Sequence, residues 1–136
     1  MKASPPKIHC LIESNGRPFS IEVFVLYQKS QTFQLLHQVN TIHPIPEKNL
    51  QGYVDKMQDC QRYSIPEEKY WSILQKLDGL SLSVLPSFSG GFDGETYHIW
   101  LRSGLSESSF RWWGDCPTHW RVLKIVFDEI VSLTTA

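Results

Sequence analysis

Hydrophobic and polar residues alternate along the N-terminal part of the chain with the period of two that belongs to extended structure. Phe19, Ile21, Val23, Val25 and Tyr27 alternate with Ser20, Glu22 and Gln28, the pattern of a strand with a buried face. Ile8 to Glu13 precedes this run, and the intervening Asn15-Gly16 accepts the positive φ of a tight turn, so the two segments read as a hairpin. Phe24 and Leu26 are apolar on the opposite face, which predicts that the centre of the second strand is covered on both sides, with a helix as the candidate cover. Lys29-Ser30-Gln31 breaks the pattern, and Phe33, Leu35 and Val39 then carry a third strand to about Ile42.

His43-Pro44-Ile45-Pro46 reads as an extended connection, because each proline fixes its own φ and disfavours helix in the residue before it. The period then changes. Leu50, Tyr53, Val54 and Met57 fall on one face of a short helix, with a strand as the alternative, since Gly52 weakens the helix by about 1 kcal/mol. A second helix is marked by the S-x-x-E capping box of Ser64 and Glu67, by Pro66 in its first turn, and by Tyr70, Trp71, Leu74 and Leu77 on one face, with Gly79 placed to end it. Ser81 to Gly91, built around Pro86 and Gly90-Gly91, reads as irregular edge and loop.

Asp93-Gly94 signals a turn before a strand over Thr96 to Arg102, and Ser103-Gly104 separates that strand from another over Glu107 to Trp113. Trp120, Leu123, Val126, Phe127 and Ile130 repeat at helical spacing from about Pro117 to Leu133, with Asp115 or Cys116 as the candidate cap. Hairpins throughout and no βαβ alternation imply an α+β fold: an antiparallel sheet of about five strands with two to three helices packed on one face. Residues 1–7, with Pro5 and Pro6, read as a flexible tail and residues 8–136 as a single globular domain without internal repeats.

Composition narrows the function classes. The chain has 136 residues, 41% hydrophobic and 20% charged, which is ordinary globular usage. No run approaches the roughly 20 apolar residues of a membrane span, and the N-terminus lacks the apolar core of a signal peptide. A net charge of −1 with scattered Lys and Arg leaves no basic stripe for nucleic acid. Cys10, Cys60 and Cys116 are odd in number and form no CxxC pair, which implies reduced, mostly buried thiols and a cytoplasmic location.

The densest chemical cluster is Arg111, Trp112, Trp113, Asp115, Cys116 and His119, followed by Trp120. Within a strand, Trp112 and Trp113 must face opposite ways, so an exposed member of the pair would mark a binding surface. The plainer reading makes both tryptophans structural, one in the main core and one beneath the last helix. Cys116 and His119 are three residues apart in the expected first turn of that helix, where its N-terminus would lower a thiol pKa. The plainer reading is again a buried structural cysteine. A zinc site would need further ligands from His9, Cys10, His37, His43, Cys60 or His98, so neither metal nor cofactor is expected. His98 and His37 read as hydrogen-bonded strand residues, and Glu67, Glu68, Asp128 and Glu129 as solvated helix faces. No nucleophile-elbow, phosphate-loop, dinucleotide or zinc-protease motif occurs, which lowers the expectation of an enzyme.

The segment from Phe92-Asp93-Gly94-Glu95-Thr96-Tyr97 through Phe110-Arg111-Trp112-Trp113 to Pro117 and Trp120 resembles a pattern in small bacterial domains, some of them similar to immunity proteins that neutralise toxins from neighbouring cells. The resemblance implies an α+β fold and a protein-binding role, although immunity proteins are often more acidic than this chain. The leading expectation is therefore a non-enzymatic cytoplasmic domain that binds another protein. Two alternatives stand beside it. One is a small enzyme or ligand-binding domain centred on Cys116, His119 and Trp113; the other is a subunit of a homo-oligomer, to be recognised by exposure of Trp100 or Trp112.

Overall fold

The computed structural model describes residues 6–14, 19–42, 60–82 and 95–134. Six antiparallel strands make one sheet in the order β4-β3-β2-β1-β5-β6. They are β1 (Lys7–Ser14), β2 (Phe19–Lys29), β3 (Thr32–Ile42), β4 (Gln61–Ser64), β5 (Glu95–Ser103) and β6 (Ser106–Trp113). Helix α1 (Glu67–Gln75) follows β4, and a 3-10 turn (Thr118–Trp120) leads into α2 (Arg121–Ser132). Every pairing among the described strands is antiparallel, which confirms the α+β class, with one strand more than expected and two helices among the described residues.

The pleat sorts side chains into two sets. Ile8, Cys10, Phe24, Leu26, Phe33, Leu35, Ile99 and Trp112 point to the side where both helices lie, and join Tyr70, Ile73, Leu123, Val126, Phe127 and Ile130 in one buried cluster. Leu11, Ile21, Val23 and Val25 form a second apolar cluster on the opposite face, none more than 8% exposed, with Tyr27, Leu36 and Trp100 packed against it. The centre of β2 is thus buried on both faces, as its double-sided apolar pattern predicts.

Several local expectations are corrected. The extra strand, β4, is a four-residue pairing against Gln34 to His37, too short and too polar to carry a period-two signal. Because Ser64 is committed to that pairing, the capping box does not form: the N-cap position of α1 is Pro66, with no side-chain cap, and Glu67 and Glu68 supply negative charge to the first turn. The deeply buried residues of α1 are Tyr70 and Ile73, whereas Trp71 stands 39% exposed. Gly79, at φ +67, closes the turn after α1, as predicted. Neither Asp115 nor Cys116 caps the last helix, which opens at Arg121, five residues beyond Cys116, through the 3-10 segment.

Pro6 and Lys7 are tied in, since Lys7 opens β1 and the Tyr70 hydroxyl donates to the Pro6 carbonyl at 2.6 Å. Lys69 of α1 and Lys76, at its C-cap, both reach Glu129 of α2, joining the two helices across their contact. The Asn15-Gly16 turn, the 43–46 connection, the helix expected around Leu50 to Met57, the loop over 83–91 and the Asp93-Gly94 turn lie outside the described residues. No helix among the described residues is long and apolar enough to cross a membrane.

Candidate functional site

Strand β6 divides the sequence cluster between two faces. Trp112 points to the helices and is 4% exposed, its ring 5.8 Å from Tyr97 and 6.0 Å from Phe127, with Trp120 at 6.5 Å. Its indole N–H is buried without a hydrogen-bond partner. Arg111 and Trp113 point the other way and are exposed, Trp113 at 44%. The reading that both tryptophans are interior is therefore corrected: Trp112 and Trp120 fill the space between sheet and helix, and Trp113 does not.

Cys116 lies in the connection before the 3-10 turn, half-buried, with its Sγ 3.5 Å from the carbonyls of both Pro117 and Trp120. Burial pushes its thiol up to about 11, with Lys124 opposing and Asp128 adding to the rise. That goes against the alternative of a thiol activated by a helix N-terminus and agrees with the plainer reading of a structural cysteine, because α2 begins at Arg121, five residues on. Asp115 and His119 are exposed. The fold thus keeps Arg111 and Trp113 together on an open face, and leaves the Cys116 thiol directed at backbone carbonyls. Among the described residues, no group of three or more His, Cys, Asp and Glu side chains converges to hold a metal.

A second constellation assembles across the helix-distal face from strands distant in sequence. The register sets Glu13 opposite Thr96, Leu11 opposite His98, His98 opposite Arg111 and Thr96 opposite Trp113. Glu13, His98, Arg111 and Trp113 therefore share one patch, in which directly opposed residues stand about 5 Å apart at Cβ and diagonal ones about 7–8 Å. Glu13 is 9% exposed, and its Oε1 has no hydrogen-bond partner. Burial raises its pKa, against the pull of Arg111. Burial and the nearby Arg111 charge both lower His98, to about 4. The His98 ring stacks on Trp100 at 3.7 Å, and His9 meets Trp100 edge-on at 6.1 Å. Sequence reasoning missed Glu13 as a site residue. The available signal was its alternation with Leu11 and His9, which places it on the same face as that apolar residue.

A cavity of about 410 Å³ opens on the helix side, between α1 and the β5–β6 hairpin. Trp71, Leu74, Leu77 and Leu101 line it, with Gln75, Ser106 and Ser108 as polar lining. Neither Cys116 and His119 nor the Glu13–His98 patch contributes to it.

Strand β6 is also an outer strand of the sheet. Gly114 donates its N–H to the Glu95 carbonyl at 3.0 Å, which makes that pair hydrogen-bonded. In an antiparallel ladder such pairs recur at every second residue, so the N–H and C=O groups of Glu107, Ser109, Arg111 and Trp113 point outward from the sheet. In comparisons with known proteins, no family model, no curated protein and no solved structure matches the chain.

Proposed function

We propose that the chain is a non-enzymatic domain that binds another protein, through the outer strand β6 and the helix-distal face beside it. One observation carries this reading: Trp113 is 44% exposed, two residues from the exposed Arg111, on a strand edge whose outward backbone groups pair with no other described strand. Tryptophan and arginine are the side chains most often responsible for the energy of protein interfaces. An open strand edge adds backbone bonds that any extended partner segment satisfies. The likeness of the C-terminal segment to immunity-like bacterial domains supports a toxin as the partner class and the cytoplasm as the location. With a formal charge of −1, recognition rests on the aromatic and its arginine rather than on bulk acidity.

The test is affinity capture from the source cells with the parent, W113A and R111A chains, each checked for an unchanged fold by circular dichroism. A stoichiometric partner held by the parent and lost by W113A is the expected result. Capture that W113A leaves undiminished overturns the assignment.

A second reading, a ligand-binding or catalytic domain, is favoured by the Glu13–His98 patch, where a buried carboxyl whose Oε1 bonds to no described residue lies diagonal to an imidazole held neutral. Its centre is this patch rather than Cys116 and His119, since a thiol at about 11 is protonated at neutral pH. A fragment screen by NMR tests it. Ligand-dependent shifts of the Glu13 and His98 signals that vanish in E13Q support it, and a screen with no shifts there removes it.

A further inference from the structure

We infer that, in the chain without its partner, the β6 edge is closed by a second copy of this chain, docked antiparallel about a two-fold axis through Ser109 so that two sheets join into one, and that the heterologous partner competes for that edge. This rests on the reading of β6 as a protein-binding edge and names its occupant in the free chain.

Only Glu107, Ser109, Arg111 and Trp113 present N–H and C=O groups outward, so two β6 edges pair only where odd-numbered residues oppose odd-numbered ones. Centring the axis on Ser109 meets this condition and overlaps the strand almost end to end. Ser109 then opposes its own copy, and Glu107 opposes Arg111 of the second chain, twice by symmetry. Glu107 and Arg111 lie on the same face of β6, and neither forms an ion pair with another described residue. Glu107 is also opposite Arg102 within its own chain. In the joined sheet its carboxylate sits between two guanidinium groups.

The remaining positions complement one another by size. Ser108 opposes Phe110, and Ser106 opposes Trp112, a small side chain facing a large one on the helix side. On the other face, Trp113 comes alongside the partner's hairpin turn, where Leu105 is 85% exposed. The two most exposed apolar residues of the hairpin thus meet. Other phase-compatible registers shift Glu107 off Arg111 and separate Leu105 from Trp113. The opposite edge of the sheet, β4, is four residues long and runs into α1, a poorer template.

One strand edge buries less than the roughly 1,200–2,000 Å² of a standard interface, so the dimer is expected to be concentration-dependent. Sedimentation equilibrium from about 1 µM to about 1 mM spans the affinities of such contacts. The parent chain, 15.7 kDa as a monomer, is expected to reach twice that mass.

Three variants separate this arrangement from any other. S109P removes an N–H that faces outward and bonds to no other described residue, a position where an edge strand tolerates proline. It should keep its circular dichroism spectrum and weaken dimerisation about tenfold or more. E107R and R111E each set like charges opposite one another at both symmetric positions and should be monomeric alone. Mixed in equal amounts they should form a heterodimer, because each then meets its opposite charge. A parent chain that is monomeric throughout the range overturns the proposal. So does a dimer indifferent to S109P, or a mixture of E107R and R111E that stays monomeric. The broader reading fails separately, by W113A leaving capture of a heterologous partner unchanged.

Discussion

Acidification should weaken this fold through His98, by an amount that the structure bounds. The ring is packed against Trp100 at 3.7 Å, opposite Arg111 and diagonal to Glu13, and burial together with the Arg111 charge lowers its pKa from 6.5 to about 4. Between those values the unfolded chain binds a proton that the folded chain refuses, so stability falls as the pH drops from about 6.5 to 4. A difference of 6.5 − 4, at 1.36 kcal/mol per unit, sets an upper bound of about 3.4 kcal/mol. The ring is partly open to water, and solvent screening brings the expected loss to roughly 1–2 kcal/mol. The perturbation is H98N, which keeps a polar side chain of similar size and removes the titration. Urea unfolding of parent and variant at pH 7, 6, 5 and 4 gives the assay, because other groups, Glu13 included, largely cancel in the difference. The parent should lose its roughly 1–2 kcal/mol relative to H98N over this window. A flat difference refutes the reasoning. So does a ring titration by NMR with a midpoint above 6.5, which would mean that cation–π attraction to Trp100 outweighs desolvation and Arg111.

Phe127 is 1% exposed and meets Tyr97 and Trp112 at ring separations of 5.6 and 6.0 Å, so F127A should cost about 3–5 kcal/mol in urea unfolding, and a loss below 1 kcal/mol would show that α2 does not anchor the sheet. Cys116, raised to about 11 from 9.0, should react with iodoacetamide at pH 8 about a hundredfold more slowly in the folded chain than in urea; equal rates by mass spectrometry would contradict its burial. For Glu129, burial raises the carboxyl pKa, but hydrogen bonds from Lys69 and Lys76 prevail and hold it below the ordinary value. Its contribution is present above the unfolded pKa and lost as pH falls through the lower folded one. E129Q should therefore cost about 1 kcal/mol or less at pH 7, a difference that shrinks below pH 4, and a thermal-melt penalty that grows there would reverse the assignment.

How far residue order alone reached can be judged element by element. The alternation of β2 and β3, the final amphipathic helix and the Gly104 hairpin are local patterns, and each appears where the period predicts it. The opposed directions of Trp112 and Trp113 also followed from the pleat alone. Which of the two is buried did not, since that depends on the face α2 covers. Strand β4 was invisible because its four residues are held by pairing with β3 rather than by their own propensity. That same pairing took Ser64 away from the capping role its spacing suggests.

The candidate sites divide along the same line. Arg111 and Trp113 were legible because neighbours on one strand keep their relative placement in any fold. Glu13 and His98 are far apart in sequence and meet only because β1 pairs with β5, a choice made by burial of Cys10, Ile99 and Leu11 rather than by anything near either residue. Periodicity determined what each segment becomes and which of its side chains share a face. Long-range pairing decided which faces oppose one another, which strands lie at the edges of the sheet, and that the Cys116 thiol is held protonated rather than activated, because burial and charge neighbours are properties of the assembled chain.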